Sequence, residues 1–471
     1  MSSARLRANV DATLTALAAA FGFVPFVPRL LRAIVTGAGD RREMAARMAS
    51  GLRQEPMVAP ARSSSAAMAP LRVFFVAGEP SGDLHAANLA VAIARAAPGA
   101  VLEGIGGPKM AAAGVRIESD LVSEPVMGVW PVVRKTPAFF RLYRDLLVRF
   151  EENPPDVVVG IDYPGLNLRL ARAARKRGVP FVLYVAPQVW AWAPWRTKAL
   201  ARDVTRVLAI LPFEQRIFED AGANVAYVGH PLFEHLRRRG IDGAVRQVLR
   251  AGLVEGGALI ALMPGSRRSE VRANLPLILD AARCATNARK GLRFVIPLAA
   301  ERLRDVVNEA LRGSPDLAVE IAPPAQSDDA MAAADAAITV SGTATLHLTA
   351  HGVPAVVVYH ASAAARALSK VLLVSPWIAL PNLLSGAAVL PEFLASASDA
   401  PKIADALLRI LPGGPDRDAA TAALASICTR VGGDGVAHRA AAWVVAAASR
   451  RDAASQSGPG TRPSAGTGPG S

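Results

Sequence analysis

Short apolar runs alternate along the chain with segments of helical spacing. The run LRVFFVAG is followed by SGDLHAANLAVAIARAA, and DVVVGID is followed by LNLRLARAARKRG. A second series begins further on with ALIALMPG, LRFVIPLAA, DAAITVSG and PAVVVYHAS. Runs that are apolar at every position, rather than at every second one, are typical of strands buried on both faces of a parallel sheet covered by helices. The pattern therefore predicts an α/β protein.

The two series are separated by a break near Gly229–Pro231. This break predicts two doubly wound, Rossmann-like domains that face each other across a cleft. We expect the first domain at 68–230 and the second at 231–450, with the option that the last helices pack back on the first domain. The length of 471 residues agrees with two domains of ~150–200 residues each.

Both ends of the chain differ in composition from this middle part. From Ala12 to Pro28 no residue is charged, but these 17 residues include two prolines and fall short of the ~18 expected of a spanning helix. Residues 50–70 read as a linker rich in Pro, Ser and Ala. We expect 1–67 to be a dispensable extension or the product of a wrongly assigned start codon, with a membrane-touching segment as the alternative. The tail at 451–471 is expected to be disordered.

Composition narrows the class of partner and cofactor. The net charge of +14 suits nucleotides, phosphorylated lipids, an anionic membrane or nucleic acid, although an Arg- and Ala-rich proteome explains it equally well. Cys284 and Cys428 lie far apart and indicate neither a disulfide scaffold nor a zinc site, which fits a reducing cytoplasm. The histidines show no H-x-x-x-H pairing in a helix with an acid between, and GIGGPKMAAAG lacks the third glycine of a dinucleotide loop. We therefore expect no metal and no cofactor.

Two strand-end loops have the chemistry of anion sites. In ALIALMPGSRRSEV, Gly265 lets a backbone approach a phosphate closely, and Arg267 and Arg268 supply forked donors beside a helix N-terminus. In ITVSGTATLHL, small hydroxylated residues follow a strand in the same way. Two such loops suit a diphosphate better than a monophosphate, and for each the alternative is an ordinary helix cap. The residues assigned to these loops are Gly265, Ser266, Arg267, Arg268, Glu270, Ser341, Gly342, Thr343 and Ala344.

The segment GEPSGDLHAANL places four polar residues within seven positions after the first strand. These are Glu79, Ser81, Asp83 and His85. The spacing does not match the G-x-S-x-G of a serine hydrolase. The segment is expected to line an acceptor pocket, and the alternative is a glycine turn in which Ser81 or Asp83 caps the helix.

Tryptophans cluster in QVWAWAPWR, which begins at Gln188 and contains Trp190, Trp192 and Trp195. Trp130 lies in a separate apolar stretch. Because the indole ring is amphipathic, such a cluster beside a strand end suggests a wall for an apolar ligand. Packing of one or two of these rings in the core is the alternative.

At these loops the chain resembles the lipid-A-disaccharide synthases, a glycosyltransferase family of bacterial outer-membrane biogenesis. The matching segments run in order from about residue 71 to 395 and include AGEPSGDLHAANL, GIDYPGLNLRLA, YVAPQVWAW, YVGHPL, PGSRRSEV, SGTATL and LPNLLSG. The resemblance implies a two-domain GT-B fold, with the acceptor on the first domain and UDP-sugar on the second. It implies condensation of UDP-2,3-diacylglucosamine with 2,3-diacylglucosamine 1-phosphate to a β-1,6-linked disaccharide 1-phosphate and UDP, without a divalent metal.

The resemblance also implies partners, a location and site residues. It implies a peripheral protein on the cytoplasmic face of the inner membrane, a possible homodimer, and no nucleic-acid partner. Asp162, at the end of DVVVGID, is expected to be the general base that takes the proton of the acceptor's 6-hydroxyl, with Asp83 or His85 as the rival. Asn382, in LPNLLSG, is expected to contact substrate.

Two positions depart from the family pattern. After SGTATL the family commonly has a glutamate that can bind ribose hydroxyls, and here it is His347; after PEFL it usually has glutamine, and here it is Ala395. An imidazole cannot accept two hydroxyl bonds as a carboxylate does, so either His347 makes one bond or another group replaces it.

Two other classes of function remain open from the sequence. A UDP-sugar 2-epimerase shares the GT-B architecture but needs no acyl-lined wall. A basic membrane- or nucleic-acid-binding protein without catalysis would explain the charge, but it leaves the strand-end loops unexplained.

Overall fold

The computed structural model describes residues 41–52, 59–60, 70–122, 129–192, 196–361, 366, 369 and 375–456. Two parallel sheets carry the fold. The strands of the first are β1 Arg72–Ala77, β2 Val101–Gly106, β3 Arg116–Asp120, β4 Val157–Ile161, β5 Phe181–Tyr184, β6 Arg206–Ala209 and β7 Val225–Tyr227. The strands of the second are β8 Ala258–Met263, β9 Leu292–Pro297, β10 Val319–Ala322, β11 Ala336–Thr339, β12 Ala355–His360 and β13 Glu392–Ala395.

Helices cover both sheets. Those before β8 are α1 at 41–51, α2 Pro80–Ala96, α3 Pro108–Ala112, α4 Val129–Glu152, α5 Pro164–Lys176, α6 Val189–Trp192, α7 Thr197–Asp203, α8 Pro212–Glu219, α9 Pro231–Arg239 and α10 Gly243–Arg250. Those after β8 are α11 Arg268–Ala288, α12 Arg304–Leu311, α13 Ser327–Ala333, α14 Thr343–Ala350, α15 Leu380–Ser385, α16 Ala400–Ile410, α17 Arg417–Val431 and α18 Val436–Gln456. Short 3-10 turns occupy Glu301–Leu303, Pro324–Gln326 and Ala397–Asp399.

The order of strands fixes where a ligand can bind. The first sheet runs β3-β2-β1-β4-β5-β6-β7 and the second runs β10-β9-β8-β11-β12-β13, with every pair parallel. Each order reverses once, between β1 and β4 and between β8 and β11. A crevice opens at such a reversal, outside the carboxyl ends of the strands. The central strands β4 and β8 are buried throughout, as the uniformly apolar runs predict.

The last helix of the chain returns to the first sheet. Helix α18 packs along α2 and touches β4 and β5. The Arg439 guanidinium donates to the Val228 carbonyl at 2.9 and 3.0 Å, and the Glu234 carboxylate accepts from the Gly435 N–H at 3.0 Å. The helix runs to Gln456, beyond the predicted boundary at 450.

Helix α1 belongs to the predicted N-terminal extension, yet it packs on the first domain. Met44 is 6% exposed and Met48 is 2% exposed, and Gly51 lies against Phe213 of α8. The prediction that 1–67 are dispensable stays a prediction, and for these residues the contacts oppose it. The uncharged segment from Ala12 to Pro28 and the tail after residue 456 lie outside the described residues. Within the part of the chain that the structure describes, no helix combines the length and apolarity needed to cross a bilayer.

Candidate active site

Polar residues follow the carboxyl ends of neighbouring strands, and two of them, Glu79 and Asp162, were predicted from the sequence. Glu79 follows β1, Lys109 lies just after β2, and Asp162 follows β4 directly. Because β2, β1 and β4 are adjacent and parallel, these residues share one edge of the first sheet. His230, at the start of α9, interacts electrostatically with His85 of α2 and with His347 of α14. The two domains therefore meet beside this edge.

The backbone at this edge is held in an uncommon conformation. Asp162, Tyr163 and Val185 are the non-glycine residues with positive φ among the described residues, at 45°, 47° and 59°. All three follow β4 or β5, which are neighbours, and the Asp162 N–H donates to the Tyr184 carbonyl at 3.2 Å. Each such residue costs about 1–3 kcal/mol, and such strain concentrates at functional sites. This clustering points to the ends of β4 and β5 as the active site.

Two side chains hold the strained turn. The Asn167 Nδ2 group donates to the carbonyl of Asp162 at 2.6 Å and to that of Ile161 at 3.3 Å. The ring of Tyr163 lies over Gly78, where an added Cβ would be 2.7 Å from ring carbons. The glycine at the end of β1 is therefore required by the close approach of this ring.

Asp162 has an unusually high proton affinity for a carboxylate. Burial and the neighbouring charge of Glu79 raise its pKa to about 6, although a hydrogen bond from the Tyr163 N–H opposes the change. At neutral pH the group is mostly ionised and accepts a proton more readily than an exposed aspartate. These are the properties of a general base that works near pH 7.

Asp83 is engaged in holding the loop after β2. Its carboxylate is 1% exposed and accepts hydrogen bonds at 3.0 Å from the backbone N–H groups of Gly107, Lys109 and Met110. The bonds fix the start of α3 against α2. Asp83 therefore caps a helix, as the alternative prediction held, but the helix that it caps is α3 and not its own helix, α2.

Ser81 is exposed, and His85 lies one turn further along α2. Its Nδ1 atom is buried and has no hydrogen-bond partner. Burial, together with the nearby His235 and Lys109, lowers its pKa to about 4. The imidazole is therefore neutral at pH 7.

The tryptophan segment is anchored by an acid that the sequence analysis did not single out. Trp190 is 1% exposed, its Nε1 donates to Glu214 at 3.2 Å, and its ring packs edge-on against Phe213 at 5.0 Å. Trp190 therefore takes the core-packing alternative. Gln188 is exposed just after β5, whereas the side chains of Trp130 and Trp192 and the whole of Trp195 lie outside the described residues.

Glu214 is a buried carboxylate close to Asp162. It also accepts from the N–H groups of Ile210 and Leu211 at 3.2 and 3.1 Å. Burial raises its pKa to about 7, and the charge of Asp162 adds to the rise. The hydrogen bonds from Trp190, Leu211 and Ile210 oppose it. The sequence did contain a signal for Glu214, because this acid follows the apolar run RVLAILP and so stands just after a strand, as Asp162 does.

In the second domain, Glu270 closes the loop after β8. Gly265 has φ of 126°, and the Ser266 N–H and the Arg267 guanidinium bond the Glu270 carboxylate at 3.1 and 2.8 Å. Arg268 instead bonds Asp305 at 2.7 Å. The loop thus already holds one carboxylate with the donors expected to bind phosphate.

A buried asparagine ties this loop to the end of β12. The Asn274 Nδ2 donates to the Glu270 carbonyl at 2.8 Å, and its Oδ1 accepts the His360 N–H at 2.8 Å. Sequence reasoning missed this residue, although an asparagine inside a helix often signals a side chain that bonds backbone.

The loop after β11 ends with a glycine in the positive-φ region. Gly342 has φ of 140° and precedes α14, and Thr343 is exposed beside the half-buried Ala344. The Ser341 hydroxyl donates to the Ile378 carbonyl at 3.0 Å. Asn382 is fully buried: its amide donates to Leu390 and Glu392 and accepts the N–H groups of Val389 and Leu390. All its bonding capacity is used inside the domain.

His347 is paired with an acid. Its Nδ1 lies 2.8 Å from Asp328 Oδ1. Burial alone would raise the pKa of Asp328, but the His347 bond and the nearby His351 and Arg239 outweigh it and lower the pKa. No group of three potential metal ligands occurs among the described residues.

Comparison with known proteins identifies the family. The family model for lipid-A-disaccharide synthetase matches residues 73–427. The chain belongs to this family. A lipid-A-disaccharide synthase of Alkalilimnicola ehrlichii is 40% identical over 80% of this chain and 99% of its own length. That of Myxococcus xanthus is 36% identical over 80% and 97%.

Solved structures agree on the fold. A UDP-GlcNAc 2-epimerase from Neisseria meningitidis bound to UDP-GlcNAc has a TM-score of 0.52 at 12% identity and covers 80% of this chain and 98% of its own. The S. aureus MnaA–UDP co-structure has a TM-score of 0.54 at 11% identity, over 79% and 94%. Such identities show the fold alone, so they do not favour the epimerase alternative. The predicted family, GT-B fold, enzyme class and function in lipid A disaccharide synthesis are confirmed, whereas the roles of single residues stay predictions.

Proposed function

We propose that this chain condenses UDP-2,3-diacylglucosamine with 2,3-diacylglucosamine 1-phosphate, and that Asp162 is the general base. The observation that carries the assignment is the strained turn at Asp162–Tyr163, which holds a carboxylate of raised pKa at the carboxyl end of a central strand. Asp83 is less suited, because three backbone N–H groups occupy its oxygens.

In this mechanism the acceptor's 6-hydroxyl oxygen forms a bond to the anomeric carbon of the donor. The bond from that carbon to the UDP oxygen breaks, and its electron pair leaves with UDP. The hydroxyl proton passes to Asp162. The diphosphate of the donor binds the loop after β8 in place of the Glu270 carboxylate. Arg267 and the Ser266 N–H, which now bond that carboxylate, then stabilise the negative charge that develops on the leaving UDP.

The remaining predicted contacts divide between the two substrates. Glu79, Ser81 and Gln188 lie at the acceptor edge, and Ser341 to Ala344 form the second edge of the diphosphate site. With Nδ1–H donated to Asp328, His347 has Nε2 left as a single acceptor for a ribose hydroxyl. This supports the option that His347 replaces the family's glutamate with one bond.

We place the protein on the cytoplasmic face of the inner membrane as a peripheral protein, with a homodimer as a further option. The net charge of +14 supports this, because each basic residue near an anionic surface contributes about 1 kcal/mol of attraction.

The test uses wild type, Asp162→Asn and the control Asp145→Asn, which changes an exposed aspartate on α4. Each receives donor and acceptor in detergent with EDTA, and disaccharide is followed by mass spectrometry. We expect Asp162→Asn to lose about 10²–10⁴-fold in kcat while still binding UDP, and the control to match wild type. Full activity in Asp162→Asn would exclude this base. Consumption of UDP-sugar without acceptor would favour the epimerase alternative.

A further inference from the structure

A cluster of basic side chains lies where the two domains meet. Five histidines belong to it, namely His85, His230, His235, His347 and His351. They come from α2 of the first domain, from α9, and from α14 or its end in the second. Lys109 joins them from the start of α3 and interacts electrostatically with both His85 and His235. The proposed mechanism uses neither Lys109 nor His235.

The position of Lys109 is fixed by its backbone. Its N–H donates to Asp83 at 3.0 Å, and Asp83 lies on α2 two residues before His85. Asp83 also binds the N–H groups on both sides, at Gly107 and Met110. The clamp sets the Lys109 backbone beside the turn of α2 that carries His85, while the lysine itself is exposed.

One member of the cluster, His85, has a ring nitrogen without a hydrogen-bond partner. The Nδ1 atom of His85 is buried without one, which is uncommon in a folded protein. Burial and the neighbouring basic groups lower the pKa of His85 to about 4. Burial also lowers the pKa of His235; Asp328 opposes this, whereas His347, Lys109 and Arg239 reinforce it. A dianion placed among these groups would relieve their repulsion and accept their N–H donors.

We infer that Lys109, His85 and His235 form a binding site for a phosphate monoester, and that this site takes the 1-phosphate of the acceptor. The inference rests on the proposed function. Strands β2 and β4 flank β1, so Lys109 and Asp162 stand about two strand spacings, or ~10 Å, apart along one sheet edge. The 6-hydroxyl and the 1-phosphate project from C5 and C1, the two carbons that flank the ring oxygen, so they lie on one side of the sugar ring, and the long, flexible side chain of Lys109 can bridge the remaining distance. A ring lying along this edge presents its hydroxyl to Asp162 and its phosphate to Lys109.

The first test measures binding without catalysis. The imidazole C–H signals of His85 and His235 are titrated by NMR in the full chain, with N-acetylglucosamine 1-phosphate as the probe and N-acetylglucosamine as its phosphate-free control. We expect the phosphorylated sugar alone to raise both pKa values, and Lys109→Met to weaken its binding about tenfold. Equal effects of the two sugars, or none, would overturn the site.

The second test measures turnover with the phosphorylated acceptor and with its dephosphorylated form. We expect Lys109→Met to raise the KM of the phosphorylated acceptor about tenfold and to leave the donor KM unchanged. The control Lys290→Met changes an exposed lysine just before β9, at the amino ends of the strands of the second sheet and so away from the proposed site. This variant is expected to match wild type. His85→Gln is expected to reproduce the Lys109→Met effect.

The two readouts separate the inference from the proposed function. If wild type forms no disaccharide but the histidines respond to phosphate, the function is wrong and the phosphate site stands. If wild type is active and Lys109→Met leaves the acceptor KM unchanged, the site is wrong and the function stands. A rise in the donor KM instead would assign Lys109 to the other substrate and would also overturn the inference.

Discussion

Replacing Gly78 with alanine should disable the site through the ring of Tyr163. The added Cβ would lie 2.7–2.8 Å from three carbons of that ring, whereas ordinary contact begins at 3.4 Å. The ring must therefore retreat by about 0.7 Å to restore ordinary contact. Tyr163 and Asp162 are consecutive residues of one strained turn, so a displaced ring moves the carboxylate.

The expected loss of activity follows from the size of this displacement. A misplacement of about 1 Å in a reacting group costs roughly 10²-fold in rate. We expect kcat of Gly78→Ala to fall by about that factor with little change in the KM of the donor. Overpacking should also lower the free energy of unfolding by about 1–3 kcal/mol. Steady-state disaccharide formation and thermal unfolding measure the two effects.

Gly165→Ala is the matched control, because this glycine lies in the first turn of α5 with no atom within 4 Å of an added Cβ. It should retain wild-type kcat and lose no stability. In a Tyr163→Ala background, Gly78→Ala should have little further effect, because the clash is gone. A Gly78→Ala protein with wild-type kcat, or with the same loss in that background, would refute the reasoning.

Four other predictions follow from individual contacts. Glu79→Gln removes a charge that raises the pKa of Asp162, so the acid limb of the kcat/KM profile, expected near pH 6, should move to lower pH. Asp162→Asn should raise Tm above wild type at pH 8 but not at pH 3: a folded-state pKa of about 6 against 3.8 disfavours the ionised form by roughly 3 kcal/mol, and this cost disappears below both values. Asn274→Ala leaves the His360 N–H without its partner and should raise the donor KM with little change in the acceptor KM in steady-state assays. Met48→Ala should lower the free energy of unfolding by about 2–4 kcal/mol in denaturant titrations, and an unchanged midpoint would support a dispensable extension.

The strands and their positions along the chain were predictable because the signal for each strand is local. A strand buried on both faces needs an apolar residue at every position, and DVVVGID and ALIALMPG meet that need without reference to the rest of the chain. The rule that ligands bind beyond the carboxyl ends of parallel strands then directs attention to Asp162 and Gly265.

The partners of side chains were not predictable, because they depend on how distant segments dock. Trp190 reads equally well as a lipid wall or a core residue until α8 brings Glu214 against its indole. Asp83 reads as a cap of its own helix, but the structure gives its oxygens to the loop 24 residues further on. Helix α1 carries no strand-like pattern, and only the burial of Met48 reveals its role.

The backbone strain after β4 and β5 and the raised pKa of Asp162 both lower the stability of the folded protein. Three residues with unfavourable φ cost about 1–3 kcal/mol each, and an ionised Asp162 costs roughly 3 kcal/mol more at neutral pH. Together these costs approach the whole net stability of about 5–15 kcal/mol expected of a folded domain. Packing could be achieved without them, since an asparagine at 162 and a glycine at 163 would relieve most of the cost. That the chain retains them directly after two neighbouring strands, beside the meeting point of the two domains, is the strongest physical argument that the chemistry takes place there.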